Sequence, residues 1–380
     1  MNSEAHVDPE VSARLAIHLR HVVRERRLPG AGFVTFNLDG AQNSAVAGAR
    51  RAGRHDLVQI DDGWHIGSVT KAMTATILLR LHDQGVLDVD ESVLSGLEGT
   101  GWELLLDAQF DRVTIADLLS HRSGMRANPT YALFSRYVLF GEDIHRTNAR
   151  AVRQSLTEGV GHPGGYRYSN SGYGIAGLIA SHRTGQTWEQ LITAHVAQTE
   201  HLDPLGFGRP EWHAPAPWGH RRRIGRPGFA DFRINKRGLD LDVMRPAGDV
   251  HLTLDSLAQH GSFHLRQLAG LNGKREGPGV LSEASAARLY TPVGAPMDEQ
   301  RGGSYAMGWN VEAAAPEFDG ARLLWHNGSD LFSYTMLGLL PDEGVGFAYT
   351  TNALQHQWRE NHSLVWEPVT AMVRTARLRL

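Results

Sequence analysis

Apolar residues recur at helical spacing at the start of the chain. Val11, Leu15, Ile17, Leu19, Val22 and Val23 alternate with charged positions over residues 11–26, which predicts an amphipathic helix. The period then shortens. GFVTFNLDG reads as a strand ending in an Asp39-Gly40 turn, with NSAVAGARR as its hairpin partner. From Ser68 the text lengthens its period again. In SVTKAMTATILLRLHDQG, Met73, Ile77, Leu78 and Leu81 share one side while Ala72, Ala75 and Leu79 cover most of the rest. A helix apolar all round is a buried one, and Gly85 stops it.

The middle third reads as helix and loop. Thr114 with Asp117 forms a capping-box start for IADLLSHRSG, Ser171 to His182 is a small apolar helix closed by Gly185, and Thr187 caps WEQLITAHVAQ. Residues 203–246 hold six of the 16 prolines and the run HRRRIGRPGFADFRINKRG, which together predict a long irregular insertion. After the helical EASAARLY come the strand-like SYAMGWNV, ARLLWHNG, SYTMLGLLP and VGFAYTTN, the last two joined by Asp342-Glu343-Gly344. An amphipathic helix over roughly 361–378 closes the chain.

Strands at both ends with helices between predict an α+β fold. Its antiparallel sheet is built from N- and C-terminal segments and flanked by helices, with a mainly helical domain inserted. The predicted boundaries are 1–85 plus 280–380 for the discontinuous sheet domain and 86–279 for the helical one, with insertion 203–246 and an active site between the two. There is no regular βαβ alternation, no internal repeat and no G-x-G-x-x-G or G-x-x-x-x-G-K-[ST] phosphate loop.

Composition narrows the function. The 380 residues suffice for two domains or one large one, and 38 Lys+Arg nearly balance 41 Asp+Glu. No overall field exists to draw in nucleic acid or an anionic membrane. Cysteine is absent, which removes disulfides, thiolate metal sites and a cysteine nucleophile. No apolar run approaches the roughly 18 residues of a membrane span. The N-terminus has no signal-peptide pattern, so a cytoplasmic location is expected unless a leader precedes it. Nothing in the pattern sets an oligomeric state. Twenty histidines contain no H-E-x-x-H, and His18 with His21 fall on an exposed-looking helix, so neither metal nor cofactor is expected. The basic cluster from His220 to Arg237 reads as a solvated loop, with a rim attracting anionic substrates as the alternative.

Only three basic residues are lysines, Lys71, Lys236 and Lys274, and Lys71 stands in Ser68-Val69-Thr70-Lys71. This S-x-x-K at the start of the buried helix puts serine and lysine on one face. A serine hydroxyl is a weak nucleophile until a neighbour takes its proton. A lysine does so once burial lowers its pKa. The Ser68 N–H, at the helix end, is placed to donate to a developing oxyanion. Tyr168-Ser169-Asn170, between a turn and a helix, offers a proton relay and an amide that can hydrogen-bond both lysine and substrate; alone it reads equally as an edge strand and a helix cap. His326-Asn327-Gly328 ends an apolar strand, where the glycine admits a substrate to the strand edge and the Ser329 N–H can donate. Alone it reads as a strand end.

The three motifs in this order resemble the serine β-lactamase and penicillin-binding-protein superfamily, nearest its class C β-lactamase, DD-peptidase and family VIII esterase branch. HIGSVTKAMTATILLRL, VTIADLLSHRSGM, the PLG of 204–206, RPAGDVHLTLDSLAQH and YAMGWNV extend the similarity from about residue 30 to the end. The resemblance implies a β-lactamase/transpeptidase-like fold and an acyl-enzyme at Ser68. Lys71 and Tyr168 would share general-base and general-acid work, and Asn170 would orient lysine and substrate. His326, Asn327 and Gly328 would belong to the substrate side, and the N–H groups of Ser68 and Ser329 would form the oxyanion hole. The third motif departs from the usual Lys-Thr-Gly or Lys-Ser-Gly of β-lactamases in carrying histidine, and no counterpart of the class A deacylating glutamate is seen.

These readings predict a serine hydrolase acting on small-molecule esters or small amides. A β-lactamase, a D-Ala-D-Ala carboxypeptidase or D-aminopeptidase, and an acyl transferase would use the same chemistry. A catalytically silent sensing or scaffold module is the reading from another class. It is disfavoured because every proton-handling residue is present.

Overall fold

The computed structural model describes residues 9–130, 132–133, 143–158, 161–223, 229–231, 242–273, 280–294, 303–354 and 363–377. Much of the basic cluster, at 224–228 and 232–241, lies outside the described residues.

Period-two alternation builds the centre. Seven antiparallel strands stand in the order Gly40–Gly48, Gly30–Asn37, Val345–Thr351, Tyr334–Leu340, Ala321–Gly328, Asn310–Ala315 and Ser304–Tyr305. The N-terminal hairpin therefore pairs directly with the C-terminal one, Phe33 opposite Tyr349 and Val34 opposite Ala348. Alternate residues face opposite ways. Ala31, Phe33, Met336, Phe347 and Tyr349 point to one core, and Val34, Phe36, Leu337, Leu339 and Ala348 to the other.

The first core is closed by two amphipathic helices. Pro9–Glu25 buries Val11, Leu15, Leu19 and Val22, and Ser363–Arg377 adds Trp366, Val369 and Met372. Spacing of three and four residues makes one apolar stripe on each, which only the sheet can cover. On the other face lies the helix Leu254–Leu271. The sequence assigns it to the helical insertion, 86–279, yet it packs on the sheet strands Gly30–Asn37 and Val345–Thr351. Its moderate amphipathicity is that of a helix between two layers, and no local signal tells which layer it joins.

The buried helix runs Thr70–Asp83, preceded by a 3₁₀ turn at Gly67–Val69 that carries Ser68. Asn170–Thr184 lies beside it, ended by Gly185 in the left-handed region. The predicted capping box forms between Thr114 and Asp117, and the predicted cap at Thr187 also closes a box, with Gln190. Each satisfies two otherwise bare N–H groups and contributes about 1 kcal/mol. Within the predicted irregular segment, Leu205–Phe207 joins Val250–Leu252 and Trp64–His65 in a small sheet. That sheet ties the approach to Ser68 to residues 247–252. No helix among the described residues is long and apolar enough to cross a membrane.

Candidate active site

The 3₁₀ turn and the end of strand Ala321–Gly328 meet so closely that only glycine fits on both sides. A Cβ on Gly67, at φ +51°, would stand 2.2 Å from the Ser329 nitrogen, and one on Gly328 would stand 1.9 Å from the Ile66 oxygen and 2.6 Å from the Ser68 nitrogen. The backbone nitrogens of Ser68 and Ser329 are thereby held at one junction.

Lys71 lies one turn beyond half-buried Ser68 and is itself fully buried. Its Nζ is 2.9 Å from Ser68 Oγ, 2.7 Å from Asn170 Oδ1 and 2.6 Å from the Ala247 carbonyl. Burial holds its pKa well below the ordinary 10.5. A neutral amine has two N–H bonds and one lone pair. The amide oxygen and the carbonyl accept the two N–H bonds, so the lone pair is left for the serine hydroxyl. Ala247 comes within reach because Gly174, on helix Asn170–Thr184, lets the 242–248 segment lie against it; a Cβ there would stand 2.1 Å from Val243 O.

Tyr168 places its hydroxyl in a hydrogen bond with Ser68 and its ring 4.9 Å from Lys71 Nζ. Burial raises the phenol above its ordinary value, although the bond to Ser68 pulls the other way. It is therefore a hydroxyl at neutral pH, able to pass a proton but not to start as the base. Ser169 caps the helix behind it, accepting from Gly172 N–H at 2.9 Å and donating to the Arg126 carbonyl at 2.6 Å. Asn170 Nδ2 donates to Asn128 Oδ1 at 2.8 Å.

The third motif places its side chains on both faces of the strand. His326 is 2% exposed and offers no free ring nitrogen: Nδ1 lies 2.6 Å from the Asn327 carbonyl and Nε2 lies 3.0 Å from the Tyr305 hydroxyl. Burial lowers its pKa to about 3, with Lys71 adding to the effect, so the ring is neutral. It forms cleft wall beside Tyr168, at 6.3 Å between ring centroids, and not a substrate donor. Asn327, grouped with the substrate side, turns the other way. Strand alternation points it away from His326 and Gly328, and its side chain bonds Tyr334 in the opposite core.

Several participants carry no role in the sequence reading. His121, buried at φ +59°, accepts from the Ser169 N–H at 3.1 Å and lies 4.2 Å from the Tyr168 ring and 4.6 Å from Tyr305. Burial above all holds its pKa well below the ordinary 6.5. Asp330 accepts from the N–H groups of Phe332 and Ser333 at 2.9 and 2.7 Å, and pairs with buried Arg209 at 2.7 Å. Those bonds fix the loop that carries Ser329. HRSG and RPAG stood in the text of the resemblance, but their packing needs contacts far apart in the chain.

A sheet assembled from both chain ends, with S-x-x-K where it meets the helices, is the β-lactamase-like fold. Residues 15–367 match the β-lactamase family, and the chain belongs to it. It is 28% identical over 340 residues to penicillin-binding protein 4 of Amycolatopsis lactamdurans, covering 86% of this chain and 82% of that protein. To esterase EstB of Burkholderia gladioli it is 26% identical over 358 residues, covering 80% and 88%. The fold is shared with the D-amino acid amidase of Ochrobactrum anthropi SV3, at TM-score 0.74 and 18% identity over 96% of this chain and 98% of that one. It is shared equally with the octameric penicillin-binding protein homologue of Pyrococcus abyssi, at TM-score 0.74 and 19% identity over 95% and 77%.

Proposed function

We propose that this chain hydrolyses small, uncharged carboxylic esters through an acyl-enzyme at Ser68. In this reading Ser68 Oγ attacks the ester carbonyl carbon as Lys71 Nζ takes its proton. The tetrahedral oxyanion is held by the N–H groups of Ser68 and Ser329. The proton then passes through the Tyr168 hydroxyl to the departing alkoxide, the C–O bond breaks, and an alcohol leaves. Water repeats the sequence on the acyl-enzyme and releases the acid. Asn170 keeps Lys71 aimed, because its Oδ1 takes one of the amine's two N–H bonds.

One observation carries the ester preference. His326, where β-lactamases carry lysine, is neutral and has both ring nitrogens engaged. The strand side of the cleft therefore supplies no permanent cation at the third motif, so an anionic substrate gains nothing there while a neutral ester loses nothing. The similarity to esterase EstB supports the same choice. The test is a hydrolysis panel of p-nitrophenyl butyrate, a chromogenic cephalosporin, D-alanyl-D-alanine peptides and D-amino-acid amides. The ester is expected to give the highest kcat/KM. A cephalosporin turned over more efficiently would sink the ester assignment and leave Ser68 standing. The second reading, a penicillin-binding carboxypeptidase, rests on the similarity to penicillin-binding protein 4 and would show as peptide turnover above ester turnover.

A further inference from the structure

The Thr70–Asp83 helix buries three threonines, Thr70, Thr74 and Thr76, that no step above uses. A hydroxyl inside a helix ordinarily turns back to the carbonyl four residues before it. Thr76 does so, donating to the Ala72 carbonyl at 2.9 Å. Thr74 reaches outwards instead. Its Oγ1 lies 2.8 Å from the Pro246 carbonyl and 3.1 Å from Trp188 Nε1. An indole N–H can only donate and a carbonyl can only accept. The Thr74 oxygen therefore accepts from Trp188, and its single hydrogen points to Pro246.

Pro246 and Ala247 belong to the four-residue helical turn Arg245–Gly248. Carbonyls at the end of such a turn have no partner within it. Here two consecutive ones are met by side chains one turn apart on the Thr70–Asp83 helix: Pro246 by Thr74, and Ala247 by Lys71 Nζ at 2.6 Å. Thr70 Oγ1 adds a third contact, accepting from the Val250 N–H at 3.3 Å. The helix Asn170–Thr184 closes the other side. A Cβ on Gly177 would stand 2.3 Å from Pro246 Cγ, so the proline ring rests on that helix's backbone. The carbonyl that receives the Lys71 amine is thus seated one peptide unit from a carbonyl held by a hydroxyl whose own direction is fixed.

We propose that Thr74 is a positioning residue for Lys71: by holding the Pro246 carbonyl, its hydroxyl sets where the Ala247 carbonyl meets the amine. The inference rests on Lys71 serving as the base at Ser68. With Asn170 and Ala247 both accepting from the amine, its lone pair has one direction left, towards Ser68 Oγ. Release of the 245–248 turn takes that second acceptor out of line, and the amine then spends part of its time aimed elsewhere. A bond to the carbonyl also favours the ammonium form, so weakening it moves the lysine's titration to lower pH while slowing acylation. His121, Tyr168, Tyr173 and His326 face Lys71 as well, and Arg245 of the turn is engaged with Glu189, Asp242 and Asp249. The substitutions below leave all of these groups in place.

The chain has only three lysines, so in protein labelled with ε-¹³C lysine the Lys71 resonance is identified by its loss in Lys71→Ala. Its titration is then read without reference to activity. Thr74→Val should move that titration to lower pH and slow single-turnover ester acylation about tenfold. Thr74→Ser, which keeps the hydroxyl, should restore both. Trp188→Phe removes the indole donor and leaves the Thr74–Pro246 bond; it should lower the melting temperature and leave the titration in place. A Thr74→Val enzyme with wild-type titration and acylation, or a Trp188→Phe enzyme shifted as far as Thr74→Val, would overturn the proposal. Should Thr74→Val fail to fold, Thr74→Ala, which removes the hydroxyl without crowding the site, is read in the same way. Failure of the base assignment looks different: the wild-type acid limb of kcat/KM would lie away from the titration of Lys71.

Discussion

The Tyr305 hydroxyl donates to Nε2 of His326 at 3.0 Å, while the Asn327 carbonyl accepts from Nδ1 at 2.6 Å. A carbonyl can only accept, so the tautomer is fixed, and the ring sits in the wall as a neutral plate. Tyr305→Phe removes that donor and leaves a buried nitrogen bare, at a cost of about 1–3 kcal/mol. Thermal unfolding should show a lower Tm. An unchanged Tm would mean that the bond does not hold the ring. His326→Lys restores a cation and should shift the cephalosporin-to-ester ratio of kcat/KM upwards; a fixed ratio would separate that position from substrate charge.

Ser68 caps neither its 3₁₀ turn nor the following helix. Ser68→Ala should therefore keep the wild-type melting curve while abolishing turnover and the fluorophosphonate adduct on the Ser68 peptide. Residual hydrolysis near the wild-type rate would end the acyl-enzyme reading.

Lys71→Ala and Tyr168→Phe should each slow acylation by at least about 10²-fold. Both stand on one proton path, so the double variant should be little worse than the poorer single one. Multiplicative losses in single-turnover rates would show two independent roles.

Lys71 must be neutral to act as base, so kcat/KM should rise with pH through its lowered pKa. Asn170→Asp would place a carboxylate where Oδ1 now lies 2.7 Å from Nζ. An opposite charge favours the ammonium form, so the acid limb should move to higher pH and activity at neutral pH should fall. A limb that stays in place would argue for a different base.

Burial alone would raise the Asp330 carboxyl. Arg209, His65 and the bonds from Phe332 and Ser333 outweigh it and bring the pKa from 3.8 to about 2. Stability from this group is present above about pH 4 and lost as pH falls towards 2, amounting to about 2 kcal/mol. Asp330→Asn should lower Tm at neutral pH and flatten its decline between those limits. It should also lower kcat, because its loop holds the Ser329 N–H, and an oxyanion donor is worth about 10²–10³ in rate. A wild-type acid profile would show that the Arg209 pair adds nothing.

Periodicity and local chemistry determined the elements. The stripe at Val11, Leu15, Leu19 and Val22 had to find a sheet, and the apolar text after Ser68 had to be interior. Thr114 and Thr187 had to cap, and Ser68 with Lys71 had to share a face, since each of these follows from the geometry of a few consecutive residues. The tertiary structure decided what depends on residues far apart. It placed Leu254–Leu271 on the sheet, spent the nitrogens of His326 on Tyr305 and Asn327, and turned Asn327 towards Tyr334. It also brought the Ala247 carbonyl onto Lys71 and Glu200 onto His260. A side chain's neighbours across a core are fixed by the packing of whole elements, which spacing along the chain does not encode.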